Sequence, residues 1–333
     1  MRSVARALLW LGPDGLVTAV ALAVVGSLVA ALGGSLRLDA ANASPLVLLA
    51  VLVGLTALAR APWLFGRRPG ERRRFALALI GALRMWAPFV LLYLCYCALH
   101  DATPLLVGRS YEHELRAADE ALFGVSPSFW LERFATPWLT DVMAFGYGLM
   151  FWLPLGVLVG LYLRDRKEAF REVAVALLAA FYCGFVLYLA VPARSPRLVF
   201  AYASELHGAL GLYEAWTVAW DRLQEVSYDA FPSLHTAVST LALVYARRTG
   251  PLLLPRTPRL GFWVYLPAVL LLQAATLYLR QHYFVDLVAG WLLAAAAAWA
   301  APRILRGWVA LEGRLGRAAL GRAPAGGAFP GDA

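Results

Sequence analysis

The stretch Tyr278-Leu279-Arg280-Gln281-His282-Tyr283-Phe284-Val285-Asp286, followed by Leu287 to Ala301 without a single charge, decides how the rest of the chain is read. A histidine and an acid four residues apart share one face of any helix. Here they stand where an apolar run begins that is long enough to cross roughly 30 Å of hydrocarbon. An ionisable pair at such a place is costly unless the two groups serve one another. Upstream, Phe231-Pro232-Ser233-Leu234-His235 repeats the arrangement, with a histidine at the start of a second apolar run.

Hydrophobic residues make up 61% of the 333, charged residues 15%, and the mean hydropathy is +0.64. A soluble domain is about half apolar and about a quarter charged, so an integral membrane protein is expected. Runs of spanning length lie near 15–34, 45–65, 75–99, 141–163, 169–192, 233–249, 261–280 and 283–302. Helices satisfy their own backbone in lipid, and the expected fold is all-α with about eight transmembrane helices. Pro88 and Pro154 fall inside two of the runs, where bundle neighbours can satisfy the freed backbone groups.

The net charge of +9 would suggest nucleic acid in a soluble chain, but its distribution points elsewhere. Of the 30 Lys and Arg, 21 lie at Arg2–Arg6, Arg60–Arg74, Arg164–Arg171, Arg247–Arg259 and Arg303–Arg322, all on one side of an eight-span path. By the positive-inside rule that side is cytoplasmic. Both termini are then expected inside, and both histidine segments at the outer face of a bacterial-type inner membrane, with no nucleic-acid partner. Arg84 alone falls within a span. Arg2 and Arg6 with Ala41-Asn42-Ala43 have some character of a signal peptide, but the apolar run is too long and too far from that site.

Two outward segments join the spans. Residues 100–140, with Asp141 just beyond, carry Asp101, Glu112, Glu114, Asp119, Glu120 and Glu132 interleaved with aromatics, and are expected to form short amphipathic helices on the membrane surface. They read as a solvated cap, or more sharply as a lid shaping the lipid entrance. Residues 193–232 run from Pro192-Ala193-Arg194-Ser195-Pro196-Arg197 to the first histidine motif, a length without period that suggests function. Cys95, Cys97 and Cys183 lie inside apolar runs and read as small core or lipid-facing residues.

Pro232 suits the first position of a helix. The N–H groups of Ser233, Leu234 and His235 are then expected to point from the helix end toward an anion. Asp286 can take a proton from one nitrogen of His282, fixing its tautomer and leaving the other nitrogen as a nucleophile. His235 would be the acid that protonates a leaving oxygen. Arg194, Arg197 and Arg280 lie on the same side and can neutralise phosphoryl oxygens, with Ser233 as a further phosphate contact. The set describes metal-free phosphoryl transfer through a phosphohistidine. Zinc on His235, His282 and Asp286 would have only three ligands, and Asp286 already has a role. No GxGxxG, P-loop or CxxC occurs, so no cofactor is expected. His100, His113 and His207 read as interfacial residues, and Arg37, Arg109 and Arg133 as snorkelling anchors.

Pro232-Ser233-Leu234-His235 and His282-Tyr283-Phe284-Val285-Asp286 resemble the PSxH and HxxxD blocks of the type 2 phosphatidic acid phosphatase superfamily, with PARSPR at 192–197 in the place of the basic first block. The resemblance implies a six-helix catalytic bundle, with His282 as nucleophile, Asp286 as its partner and His235 as acid. Thr276-Leu277-Tyr278-Leu279 before the HYFVD block, FPSLHT upstream and Asp119-Glu120-Ala121-Leu122-Phe123-Gly124 are similar to its inositolphosphotransferase branch, typified by fungal inositol phosphorylceramide synthase. The usual Lys and Arg-Pro of the first block are absent, and Thr276 stands where the phosphatase-type block has Arg. The implied organisation is a two-span region over 1–70, a catalytic membrane domain over 71–305 and a cytoplasmic tail over 306–333, disordered after about Arg317. The expected partners are a lipid substrate and an alcohol acceptor, or water in a lipid phosphatase. A proton-coupled transporter would place its ionisable residues in mid-span rather than at span ends.

Overall fold

The computed structural model describes residues 2–34, 71–223, 228–249 and 258–320. Within them the chain is helical: α1 (Arg2–Ala31), α2 (Glu71–Leu106), α3 (Glu112–Phe123), α4 (Pro127–Leu131), a 3-10 turn (Glu132–Phe134), α5 (Pro137–Leu163), α6 (Lys167–Ala190), α7 (Pro196–Val199), α8 (Leu212–Leu223), α9 (Leu234–Thr249), α10 (Pro258–Tyr278) and α11 (Phe284–Leu320). Among the described residues, six stretches are long and apolar enough to cross a membrane: Leu11–Ala31, Leu79–Leu99, Pro137–Leu163, Lys167–Ala190, Leu260–Tyr278 and Phe284–Arg314. The chain is an all-α membrane protein.

Of the eight expected runs, 45–65 lies outside the described residues, and 233–249 is α9. That helix has 16 residues, about 24 Å of rise against a hydrocarbon core of roughly 30 Å. Its position explains its length. It packs on α5, α6, α10 and α11 and buries Leu234, Ala237, Val238, Leu241, Ala242 and Tyr245. A helix wrapped by four others is matched to its neighbours rather than to lipid. With little hydrophobic drive between helices in a bilayer, close approach and polar contacts hold such a bundle. Gln273 of α10 supplies the contacts, donating to Ser239 and Thr240 of α9 and accepting from Trp291 of α11.

Close approach depends on Gly290 of α11. A Cβ there would lie 2.5 Å from the Ser233 carbonyl oxygen and 2.9 Å from Thr236 Cβ. Gly290→Ala is therefore expected to destabilise the bundle by about 1–3 kcal/mol through overpacking, read as a lower midpoint of thermal unfolding in detergent. An unchanged midpoint would show that the α9–α11 crossing gives way freely.

Arg84, embedded in a span, meets an acid from another helix. The backbone of α1 leaves helical geometry at Gly12 (φ 74°), and Asp14 just beyond it is buried. Arg84 feels the charges of Asp14, Arg171 and Glu312, from α1, α6 and α11. α11 runs as helix to Leu320, through residues 306–320 of the expected tail; 321–333 lie outside the described residues. Cys95 and Cys97 are buried, Cys183 is exposed, and all three are free.

Candidate active site

Three loops meet at one end of the bundle and are tied by backbone bonds. The Ala230 N–H donates to the Ala193 oxygen at 3.0 Å, closing a short parallel bridge between Ala193 and Asp229. Arg197 N–H donates to the Arg280 oxygen at 2.9 Å, and Ser233 N–H to the Asp286 oxygen at 3.0 Å. The PARSPR, FPSLH and LRQHYFVD segments, far apart in the chain, are thus one unit. Arg280 sits in the left-handed region (φ 59°), where a non-glycine residue costs about 1–2 kcal/mol. That turn, just past the end of α10, presents its carbonyl to Arg197.

His282, His235 and Asp286 come together in the interior, at 4%, 5% and 0% exposure. His282 Nδ1 lies 2.8 Å from the Ala230 carbonyl oxygen and 3.3 Å from Asp286 Oδ2. A carbonyl oxygen can only accept, so Nδ1 carries the proton and Nε2 of the neutral ring carries the lone pair. Nε2 faces His235 Nδ1 at 3.2 Å, which makes His235 Nδ1–H the donor to it. The sequence leads to Asp286 as the orienting partner; the nearer partner is a main-chain oxygen, with the carboxylate behind it. Tyr147 of α5 backs the pair, its ring 4.2 Å from that of His235.

The start of α11 is not an open anion site. Tyr283 N–H donates to Asp286 Oδ2 at 2.9 Å, a side chain reaching back to its own helix cap. Phe284 and Val285 N–H donate to Asp119 Oδ2 and Oδ1, at 2.9 and 3.0 Å. At the start of α9 one of the three N–H groups expected to face an anion is taken. The helix begins at Leu234, and Ser233 is its cap, accepting from Thr236 N–H at 3.2 Å and Thr236 Oγ1 at 3.1 Å. The Ser233 N–H is committed to Asp286, so the phosphate contact expected of it has only the hydroxyl proton left.

The arginines are held by acids of the surface segment. Arg194 donates through Nε and its backbone N–H to Glu112 Oε1, at 2.9 and 3.2 Å. Burial pushes the Glu112 carboxyl up, but hydrogen bonds from Ser110 and Arg194 outweigh it and hold the group below its ordinary value. Arg280 stacks 3.8 Å over the Tyr202 ring, donates to the Ser204 oxygen at 2.8 Å and lies 3.5 Å from Glu132. Its Nε is buried without a hydrogen-bond partner, as is the Gln281 amide nitrogen beside it. Arg197 lies close enough to Tyr147 to act on its hydroxyl electrostatically. Arg133 lies over Trp130, and Arg109 pairs with Glu114 at the exposed rim.

Thr276, standing in place of an arginine, is buried, and its carbonyl accepts Gln281 N–H and His282 N–H at 2.9 and 3.2 Å. Sequence reasoning missed the Ala230 carbonyl, Tyr147, Glu112 and Asp119. The last two were visible as acids spaced with Leu115 at 3 and 4 residues on the apolar face of α3; Ala230 and Tyr147 carried no signal.

No curated protein and no solved structure matches the chain. The family model described as PAP2 superfamily matches residues 113–300, more than half of the chain, a range that includes His235, His282 and Asp286. The protein therefore belongs to the PAP2 superfamily, and is a membrane enzyme of the phosphatase and phosphotransferase type.

Proposed function

We propose that the protein moves a phosphoryl or phospho-alcohol group on a lipid through a phosphohistidine at His282, in the manner of the inositolphosphotransferases. The observation that supports this best is the Ala230 carbonyl at 2.8 Å from His282 Nδ1, which leaves Nε2 as the nucleophilic nitrogen. Nε2 attacks phosphorus, the P–O bond to the lipid alcohol breaks, and His235, acting as the doubly protonated imidazolium, gives its Nδ1 proton to the departing oxygen and becomes neutral. The phosphorylated ring keeps its Nδ1 proton and is a cation, which Asp286 offsets where a carbonyl dipole alone would not. An alcohol or water then attacks phosphorus, the P–N bond breaks, and its proton restores His235. Admission of the phosphoryl group requires the His235–His282 hydrogen bond to open.

Arg197, Arg194 and the free Nε of Arg280 supply the cationic wall for the phosphoryl oxygens, with Ser233 as a lesser contact. Charge asymmetry supports placing this site at the outer face of a bacterial inner membrane, with cytoplasmic termini.

The test uses purified protein with phosphatidylinositol labelled in its headgroup, an excess of a long-chain alcohol acceptor, and EDTA throughout. The expected result is turnover undiminished by EDTA, with the labelled inositol phosphate carried to the acceptor. Free inositol phosphate as the sole product would make the enzyme a hydrolase, and loss of activity in EDTA would remove the metal-free mechanism.

A further inference from the structure

Asp119 lies in α3, far in sequence from every catalytic residue, and is 0% exposed. Its two oxygens accept the N–H groups of Phe284 and Val285 at 2.9 and 3.0 Å, and Ser126 Oγ donates to it at 3.2 Å. Among the described residues no arginine or lysine forms an ion pair with it. Burial pushes its carboxyl above the ordinary value, so the charge is held at a cost. A buried carboxylate held by hydrogen bonds alone, without an ion pair, ties down the groups that donate to it.

What it fixes is the first turn of α11. The N–H groups it accepts are those immediately after Tyr283, whose own N–H is held by Asp286. His282 and Asp286 therefore flank the two peptide units that Asp119 holds. The ring of Phe123, one turn further along α3, packs edge-on against Phe284 at 4.8 Å. At the other end of the same face, Glu112 holds Arg194. Glu112 and Asp119 are seven residues apart, about 10 Å along a helix. One rigid helix thus grips an arginine of the first loop and the nucleophile-bearing turn of the third.

We propose that Asp119 is a positioning residue for His282 and Asp286: it caps α11 from outside that helix, and through α3 sets the gap between the nucleophile and Arg194. The proposal rests on His282 as the nucleophile. Full-length Asp119→Ala, Asp119→Asn, Ser126→Ala and His282→Ala proteins in detergent would be compared by turnover of the headgroup-labelled phosphatidylinositol and by amide hydrogen exchange.

Asp119→Ala is expected to lower kcat per folded molecule on the order of 10–100-fold, the scale of an ångström of misplacement, with KM within about threefold. Exchange at Phe284 and Val285 should rise about tenfold or more while α9 and α10 stay protected. Asp119→Asn, with one acceptor oxygen, should fall between, and Ser126→Ala near the wild type. If Asp119→Ala yields no folded protein, Asp119→Asn carries the same comparison. Wild-type kcat per folded molecule, a change in KM alone, or exchange rising evenly through the bundle would overturn the proposal. A His282→Ala protein that still turns over would instead remove the phosphohistidine, leaving the exchange result to judge Asp119.

Discussion

His282→Ala is expected to lose turnover by at least about 10⁴-fold, the scale on which removal of a covalent nucleophile acts, while remaining folded. Its side chain is buried, but its hydrogen bonds run to one carbonyl, one carboxylate and one histidine, all within a unit also tied through the backbone. The Ser233–Asp286, Ala230–Ala193 and Arg197–Arg280 bonds do not involve the imidazole. The stringent readout is the intermediate itself. Wild-type protein quenched during turnover of a labelled lipid phosphate should retain label in an alkali-stable, acid-labile linkage, and His282→Ala should retain none. Label persisting on the variant would place the nucleophile elsewhere.

His235→Gln is expected to lose about 10²–10⁴-fold, the range for a positioned general acid, but only where the departing group needs a proton. An alkyl alkoxide leaves poorly without one; p-nitrophenolate leaves as the anion. The loss should therefore be large on an alkyl phosphate and less than about tenfold on p-nitrophenyl phosphate. Equal losses on the two substrates would mean that His235 works through His282 Nε2, which it caps at 3.2 Å, and is not the acid.

The parts of the fold legible in the sequence were those written in composition and period. Apolar runs gave the spans, because hydropathy is local to the chain; the shared helical face expected of His282 and Asp286 did not form, since α11 begins at Phe284 and His282 lies in the loop before it. α9 was harder. Its length reflects a position inside four other helices, a tertiary fact that hydropathy does not carry, and its crossing with α11 turns on the single missing methyl of Gly290. Arg84 could be recognised as embedded, but its acid Asp14 lies on the far side of a backbone break at Gly12.

The site divided similarly. The three ionisable residues could be named because unpaired they would be expensive near lipid. The main-chain oxygen of Ala230, which orients His282, has no sequence signature. The acids at 112 and 119 were misjudged for a physical reason: carboxylates in a surface segment are ordinarily solvated, whereas these face inward to meet an arginine and a helix end. At the two helix starts the same capture takes up N–H groups that would otherwise be open to an anion. At α11 the anion is already there, as Asp119, and at α9 the Ser233 N–H is spent on Asp286.

The clasp between α3 and α11 also bears on when the enzyme comes into being. α3 leaves the ribosome with the first half of the chain, whereas α11 is the last of the described helices and follows directly on His282, the proposed nucleophile. Until that helix is inserted and turned to offer its first N–H groups, Asp119 has nothing to accept, and neither Arg194 nor His235 faces a nucleophile. On the proposed mechanism, competence to attack a phosphoryl group is thereby withheld until α11 is in place.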